Sequence, residues 1–150
     1  MGKGNGLIVT NVTELVRIQP SDKPDTIGNA TGFGRSVACT QHDDGASYLA
    51  VGAPYHDACD NPGNDNTGAV YIYKNVNDMD DVCDNHLVKL QPSDKPDANV
   101  SATWFGWSVA WTQHDDGASY LAVGAPEHDA CDGRADNTGA VYVYEDIELM

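Results

Sequence analysis

The sequence predicts an all-β protein built from two copies of a small antiparallel unit. Three observations carry this prediction. The stretch "TQHDDGASYLAVGAP" at 40–54 recurs letter for letter at 112–126. The apolar segments are short and rich in β-branched and aromatic residues. Gly, Pro, Asp and Asn separate them, and no stretch keeps a helical period over three turns.

The first segment, "GFGRSVACT" at 32–40, returns as "WFGWSVAWT" at 104–112. It leads into "HDDGA", whose Asp-Gly pair predicts a tight hairpin. The second segment, "SYLAVGAP", follows at 47–54 and ends at Pro54, which lacks the N–H needed to extend a ladder. A long loop, "CDNPGNDNTG", precedes the third segment, "GAVYIYKNV". The loop "NVNDMDDVCDN" then joins it to a fourth, "HLVKLQP". Four strands joined in sequence make an antiparallel meander.

The repeat is long. Phe33 recurs 72 positions on, at Phe105, and Asp65 recurs 71 on, at Asp136. A period this large fits a four-stranded propeller blade with generous loops better than a helical solenoid unit. The expected organisation is an N-terminal segment with a partial blade strand (1–14), a first repeat (15–86) and a second (87–150). The second repeat stops after its third strand, while Glu14–Gln19 at the start is a surplus one resembling "HLVKLQ". An unpaired edge invites strand exchange.

Composition narrows the function. The chain has 150 residues, with 23 acidic against 8 basic side chains and a net charge of −15. Such a surface repels nucleic-acid phosphates and anionic membranes. No apolar run reaches the roughly 18 residues needed to span a bilayer, so membrane insertion is not expected. Cys39 sits in an apolar strand and is expected in the core; Cys59 and Cys131 occupy matching loops, and their redox state stays open. Asn11, Asn29 and Asn99 begin Asn-x-Ser/Thr triplets, which suit surface loops of an exported protein but also arise by accident.

The ordered elements "FGRSVA…DDGASYLAVGAP…TGAVYIY" and "FGWSVA…DDGASYLAVGAP…TGAVYVY" resemble the FG-GAP repeats of the integrin α-subunit head. Phe33–Gly34 and Phe105–Gly106 match the first element, and Gly52–Pro54 and Gly124–Pro126 the second. The resemblance covers about residues 15–145. It implies a β-propeller, an extracellular or cell-surface location, and a role in adhesion or protein recognition through loops. Propellers hold roughly four to eight blades, and this chain supplies about two. Three or four copies closing one ring is therefore the expected self-association. Gly34 and Gly106 are expected where inner strands of adjacent blades crowd together. Trp107 and Trp111, with Phe105 and Val109, are expected on one core face.

Many members of that family bind Ca²⁺ in a D-x-[DN]-x-D-G-x-x-D hairpin loop. Here only Asp44 and Asp116 and the glycines after them are kept. Calcium needs six to eight oxygens, so a metal-free turn is the favoured reading and calcium the one cofactor the loops suggest. The acidic loops at 57–65, 78–84 and 129–136 are solvated loops or weak divalent sites. Candidate binding residues lie after the second strand of each unit: Tyr55, His56 and Asp57, and Glu127, His128 and Asp129. His42 beside Asp43 and Asp44, or His56 beside Asp57, could be built into a general base. The chain has no nucleophile elbow, phosphate loop or HExxH helix, so no catalysis is expected. A non-catalytic binding module is the leading reading. The alternative is a purely structural, self-assembling propeller piece, followed by an accessory domain of an enzyme.

Overall fold

The computed structural model describes residues 17–20, 30–42, 45–57, 66–75, 88–92, 102–115, 117–129, 137–145 and 147. The architecture is all-β, with two small antiparallel sheets. The first sheet is a meander of β1 (Ser36–Gln41), β2 (Ser47–Ala53), β3 (Ala69–Lys74) and β4 (Val88–Leu90), paired in that order. The second contains β5 (Ser108–Gln113), β6 (Ser119–Ala125) and β7 (Ala140–Glu145).

Identical sequence gives identical register. Ser36 faces Gly52 across β1 and β2, and Ser108 faces Gly124 across β5 and β6. Tyr71 pairs with Val51, and Tyr142 with Val123. The hairpin tips close alike. The His42 N–H donates to the Ala46 carbonyl at 2.9 Å, and the His114 N–H to that of Ala118 at 2.8 Å. Gly45 and Gly117 sit at φ 85° and 90°, a conformation that a side chain disfavours and a tight hairpin needs.

The Phe-Gly pair has a local reason. The Arg35 N–H donates to the Gly32 carbonyl, and the Trp107 N–H to that of Trp104. These are four-residue turns with Gly34 and Gly106 third, at φ 86° and 89°, as a type II turn requires. The residue before each glycine is thereby turned onto its own sheet. Phe33 meets Tyr71 edge-on at 5.4 Å, and Phe105 meets Tyr142 at 5.2 Å. The expected crowding at these glycines holds for one of the two. A Cβ on Gly106 would come within 2.5 Å of the Ala69 carbonyl oxygen, whereas one on Gly34 would meet nothing within 4 Å among the described residues.

The sheets stack face to face. β3 alternates: Ala69, Tyr71 and Tyr73 lie on one face, with Val70 and Ile72 on the other. The Val70–Ile72 face joins Tyr48 and Ala50 in a core shared with Phe105, Leu121, Val123 and Ala125 of the second sheet. Val88 and Leu90 of β4 pack against this core. The opposite face of the first sheet forms a separate cluster with Phe33, Leu49 and Ile18. Both faces of β3 are therefore covered, so it is buried from Ala69 to Tyr73, while β7 alternates.

Backbone contacts lock the stack. The Phe105 N–H donates to the Thr67 carbonyl at 3.1 Å, and the Trp104 N–H to that of Asn66 at 3.2 Å. The Thr103 hydroxyl donates to the same Thr67 carbonyl at 2.5 Å. The Ser36 hydroxyl donates to the Gly106 carbonyl at 2.8 Å. Glycines make room for this approach: a Cβ on Gly52 would overlap the Gly106 oxygen, and one on Gly68 would overlap the Phe105 backbone.

Two expectations need correction. Cys39 is exposed and not part of the core. It shares a face with Val37, which is 62% exposed, on the side of the first sheet turned away from the second. The equivalent residues Val109 and Trp111 do pack in the shared core. Trp107 does not join them: it lies before β5 and stacks on Trp104.

Candidate functional site

Between residues 30–57 and 102–129 the two units differ at only four positions: Gly32/Trp104, Arg35/Trp107, Cys39/Trp111 and Tyr55/Glu127. Four of the residues at these positions meet at one place, where the second unit's Phe-Gly turn docks beside the turn that follows β2. Trp104 and Trp107 stack with ring centroids 5.1 Å apart and planes 18° from parallel. Tyr55 meets both edge-on, at 5.9 and 6.3 Å. The Arg35 guanidinium lies 4.1 Å from the Trp107 ring centroid, within cation–π range. All three aromatic rings are half-buried and Arg35 is exposed, so the cluster borders solvent.

Each member is placed by backbone. The Tyr55 N–H donates to the Thr31 carbonyl at 3.0 Å. Its ring lies over Gly32, where a Cβ would come within 2.8 Å of the ring. Gly32 (φ 68°) thus serves both the turn and the tyrosine. At the equivalent place Trp104 adopts φ 53°, an unusual conformation for a bulky side chain. Its hydrogen bonds to Asn66 and from Trp107 hold it there. Strain held by surrounding bonds at a surface cluster is a reason to look for function.

The six binding candidates divide into two groups. Tyr55 belongs to the aromatic cluster. Glu127 stands at its equivalent position in the second unit, with its N–H donating to the Thr103 carbonyl at 3.4 Å. The His-Asp pairs instead brace the connection between the second and third strands. His56 Nδ1 donates to the Asp57 carbonyl at 2.5 Å, and His128 Nδ1 to that of Asp129 at 2.7 Å. The Asp57 carboxylate accepts the Asn66 N–H at 3.1 Å, and the Asp129 carboxylate accepts the Asn137 N–H at 3.2 Å. The His56 and His128 carbonyls accept the Gly68 and Gly139 N–H groups, each at 2.8 Å. Asn66 and Asn137 sit at φ 46° and 50°, within the left-handed region that asparagine tolerates. The pair is a repeated loop brace.

Asp44 and Asp116, the degenerate calcium positions, lie outside the described residues, as do Cys59 and Cys131. Among the described residues no three His, Cys, Asp or Glu side chains are grouped to hold a metal ion.

No protein-family model matches the chain, and no curated protein matches it in sequence. Its class therefore rests on its own architecture: a small all-β protein of two antiparallel sheets, with no obvious catalytic motif.

The tryptophan pair was visible in the sequence only as core. The usable signal was the comparison of one unit with the other. In near-identical repeats the differing positions mark where the units have separate tasks, and here three of the four, 32/104, 35/107 and 55/127, contribute to one cluster.

Proposed function

We propose that this protein is a non-catalytic recognition module of FG-GAP type, a pair of propeller-like blades that presents loops to an extracellular partner. The observation that carries the reading is the convergence of the differing positions on the Tyr55–Trp104–Trp107 cluster with Arg35. Aromatic rings give large contact area at low entropic cost, and Trp, Tyr and Arg are the residues most enriched at binding hot spots. A rigid sheet pair beneath the loops suits recognition. The repeated Phe-Gly turn, the shared register and the sheet-on-sheet stacking support the blade reading.

Array screening of immobilised glycans and peptides against the whole chain tests this. A ligand retained by the native protein is expected to be lost with Trp107→Ala, and an interaction weakened by about 2 kcal/mol or more would show as at least a tenfold drop. Trp107 is half-buried, so the variant is expected to keep the native circular dichroism. Retention that survives both Trp104→Ala and Trp107→Ala would remove the cluster from the reading.

A further inference from the structure

The junction between the two sheets is made once inside the chain, and its two halves are each present a second time. We infer that a second copy of this chain docks head-to-tail on the outer face of the second sheet, repeating the internal junction.

One half of the junction is a socket. In the first unit it consists of Ser36, Gly52, Thr67, Gly68, Val70 and Ile72, and the second unit's Phe-Gly turn and β5–β6 face fill it. The second unit carries the same socket as Ser108, Gly124, Thr138, Gly139, Val141 and Val143. Val70 and Ile72 are 0% exposed, whereas Val141 and Val143 are 70% and 64% exposed. A Cβ on Gly52 would overlap backbone from the neighbouring sheet; among the described residues, one on Gly124 would meet only Ser108 of its own sheet. Among the described residues, nothing takes the place beside Gly124 that Gly106 takes beside Gly52.

The other half is a plug, formed in the second unit by Phe105, Gly106, Val109 and Leu121. The first unit repeats it as Phe33, Gly34, Val37 and Leu49. Phe105 and Leu121 are fully buried, while Phe33 and Leu49 are half-buried and Gly34 is exposed. Val37, Val141 and Val143, the large exposed hydrophobic residues among those described, thus lie on the two ends of one stack. Each end matches a surface already buried inside the chain.

The edge of β7, which pairs with no further strand among the described residues, fits the same geometry. Leu90 of β4 pairs with Val70 and packs in the junction. Ile18 lies against the first unit's plug-side cluster as Leu90 lies against the second unit's. A docked copy therefore brings its Ile18 to the Val141 edge and supplies β7 with the partner that β4 gives β3. A contact of unlike surfaces either closes into a ring or propagates. This inference rests on the blade half of the proposed function and not on its recognition half.

Sedimentation of the full chain over a range of concentrations tests it. The native chain is expected to associate. Gly124→Ala and Val141→Arg (socket) and Val37→Arg (plug) are each expected to keep the native circular dichroism and sediment as monomers, with association weakened by about a hundredfold or more. Val37 and Val141 are exposed, so a monomer tolerates their replacement even if Gly124→Ala does not fold. Mixing the Val141→Arg and Val37→Arg variants is expected to restore one junction and give a heterodimer. Cys39, on the plug face, is expected to react with a thiol reagent faster in Val141→Arg than in the associated native chain. A native chain that stays monomeric overturns the inference. So does a dimer that survives Val37→Arg, because that contact would join two like surfaces. A monomer that still binds through its tryptophans would sink the docking and leave recognition standing; an oligomer that binds nothing on the arrays does the reverse.

Discussion

Phe105→Ala is expected to lower stability by about 3–5 kcal/mol, the range for removing a fully buried phenylalanine. Phe105 is 0% exposed and touches both sheets: its ring meets Tyr142 and Tyr144, and its backbone bonds to Thr67. Truncation leaves a cavity between the joined sheets. The sheets cannot close on it, because the Thr67 and Gly106 backbone contacts fix their spacing. At roughly 2–4 °C per kcal/mol for a chain of this size, the melting temperature falls by about 6–20 °C. Phe33→Ala removes the same side chain from the same turn. Phe33 is only half-buried, so its loss is expected to cost less than half as much. Paired thermal melts check this, and equal effects would mean that the junction does not carry the difference.

Gly68→Ala is expected to be nearly as damaging, by a different route. At φ 87° the backbone is in the left-handed region, which costs a residue with a Cβ about 1–2 kcal/mol. The new methyl would also overlap the Phe105 carbonyl and come within 2.6 Å of its nitrogen. Neither is a side-chain end that can swing away. Overpacking of this kind adds about 1–3 kcal/mol. The matched control is Gly139→Ala, at φ 76°, where the nearest atom is the Pro126 carbonyl oxygen at 3.2 Å. It carries the backbone cost with little of the clash. Chemical denaturation of both variants is expected to show Gly68→Ala at least twice as destabilising; a larger effect for Gly139→Ala would contradict the packing described.

Most of the fold was legible because the sequence punctuates itself. The Asp-Gly hairpins, the strand ends at Gly-Ala-Pro and the four-segment meander follow from local rules that the neighbouring sheet does not override. Facing was not legible. Cys39 and Trp111 occupy equivalent strand positions, and both suit a core. Only the stacking order makes one exposed and the other buried, and that order is tertiary. The same applies to the glycines: Gly34 and Gly106 have the same turn to make, but only Gly106 has a neighbour pressed against it.

The candidate site was half legible. Tyr55 was found because it sits in a loop after a strand. Trp107 falls outside the core because the alternation of β5 does not extend past its start at Ser108. The histidines and aspartates drew attention as chemistry-bearing types. Their hydrogen bonds instead close a loop.

The fifteen-residue stretch shared by the two units carries one last implication. β2 and β6 are the same heptapeptide, "SYLAVGA", so neither strand's own chemistry says which of the two places it should fill. During folding each is a competent substitute for the other, offset by one whole unit along the chain. The tie is broken by differences outside these strands, among them Trp111 against Cys39, Trp107 against Arg35 and Glu127 against Tyr55. A chain with such an echo in its text carries a built-in rival for its own native pairing, and the few side chains that differ between the units have to set the two pairings apart.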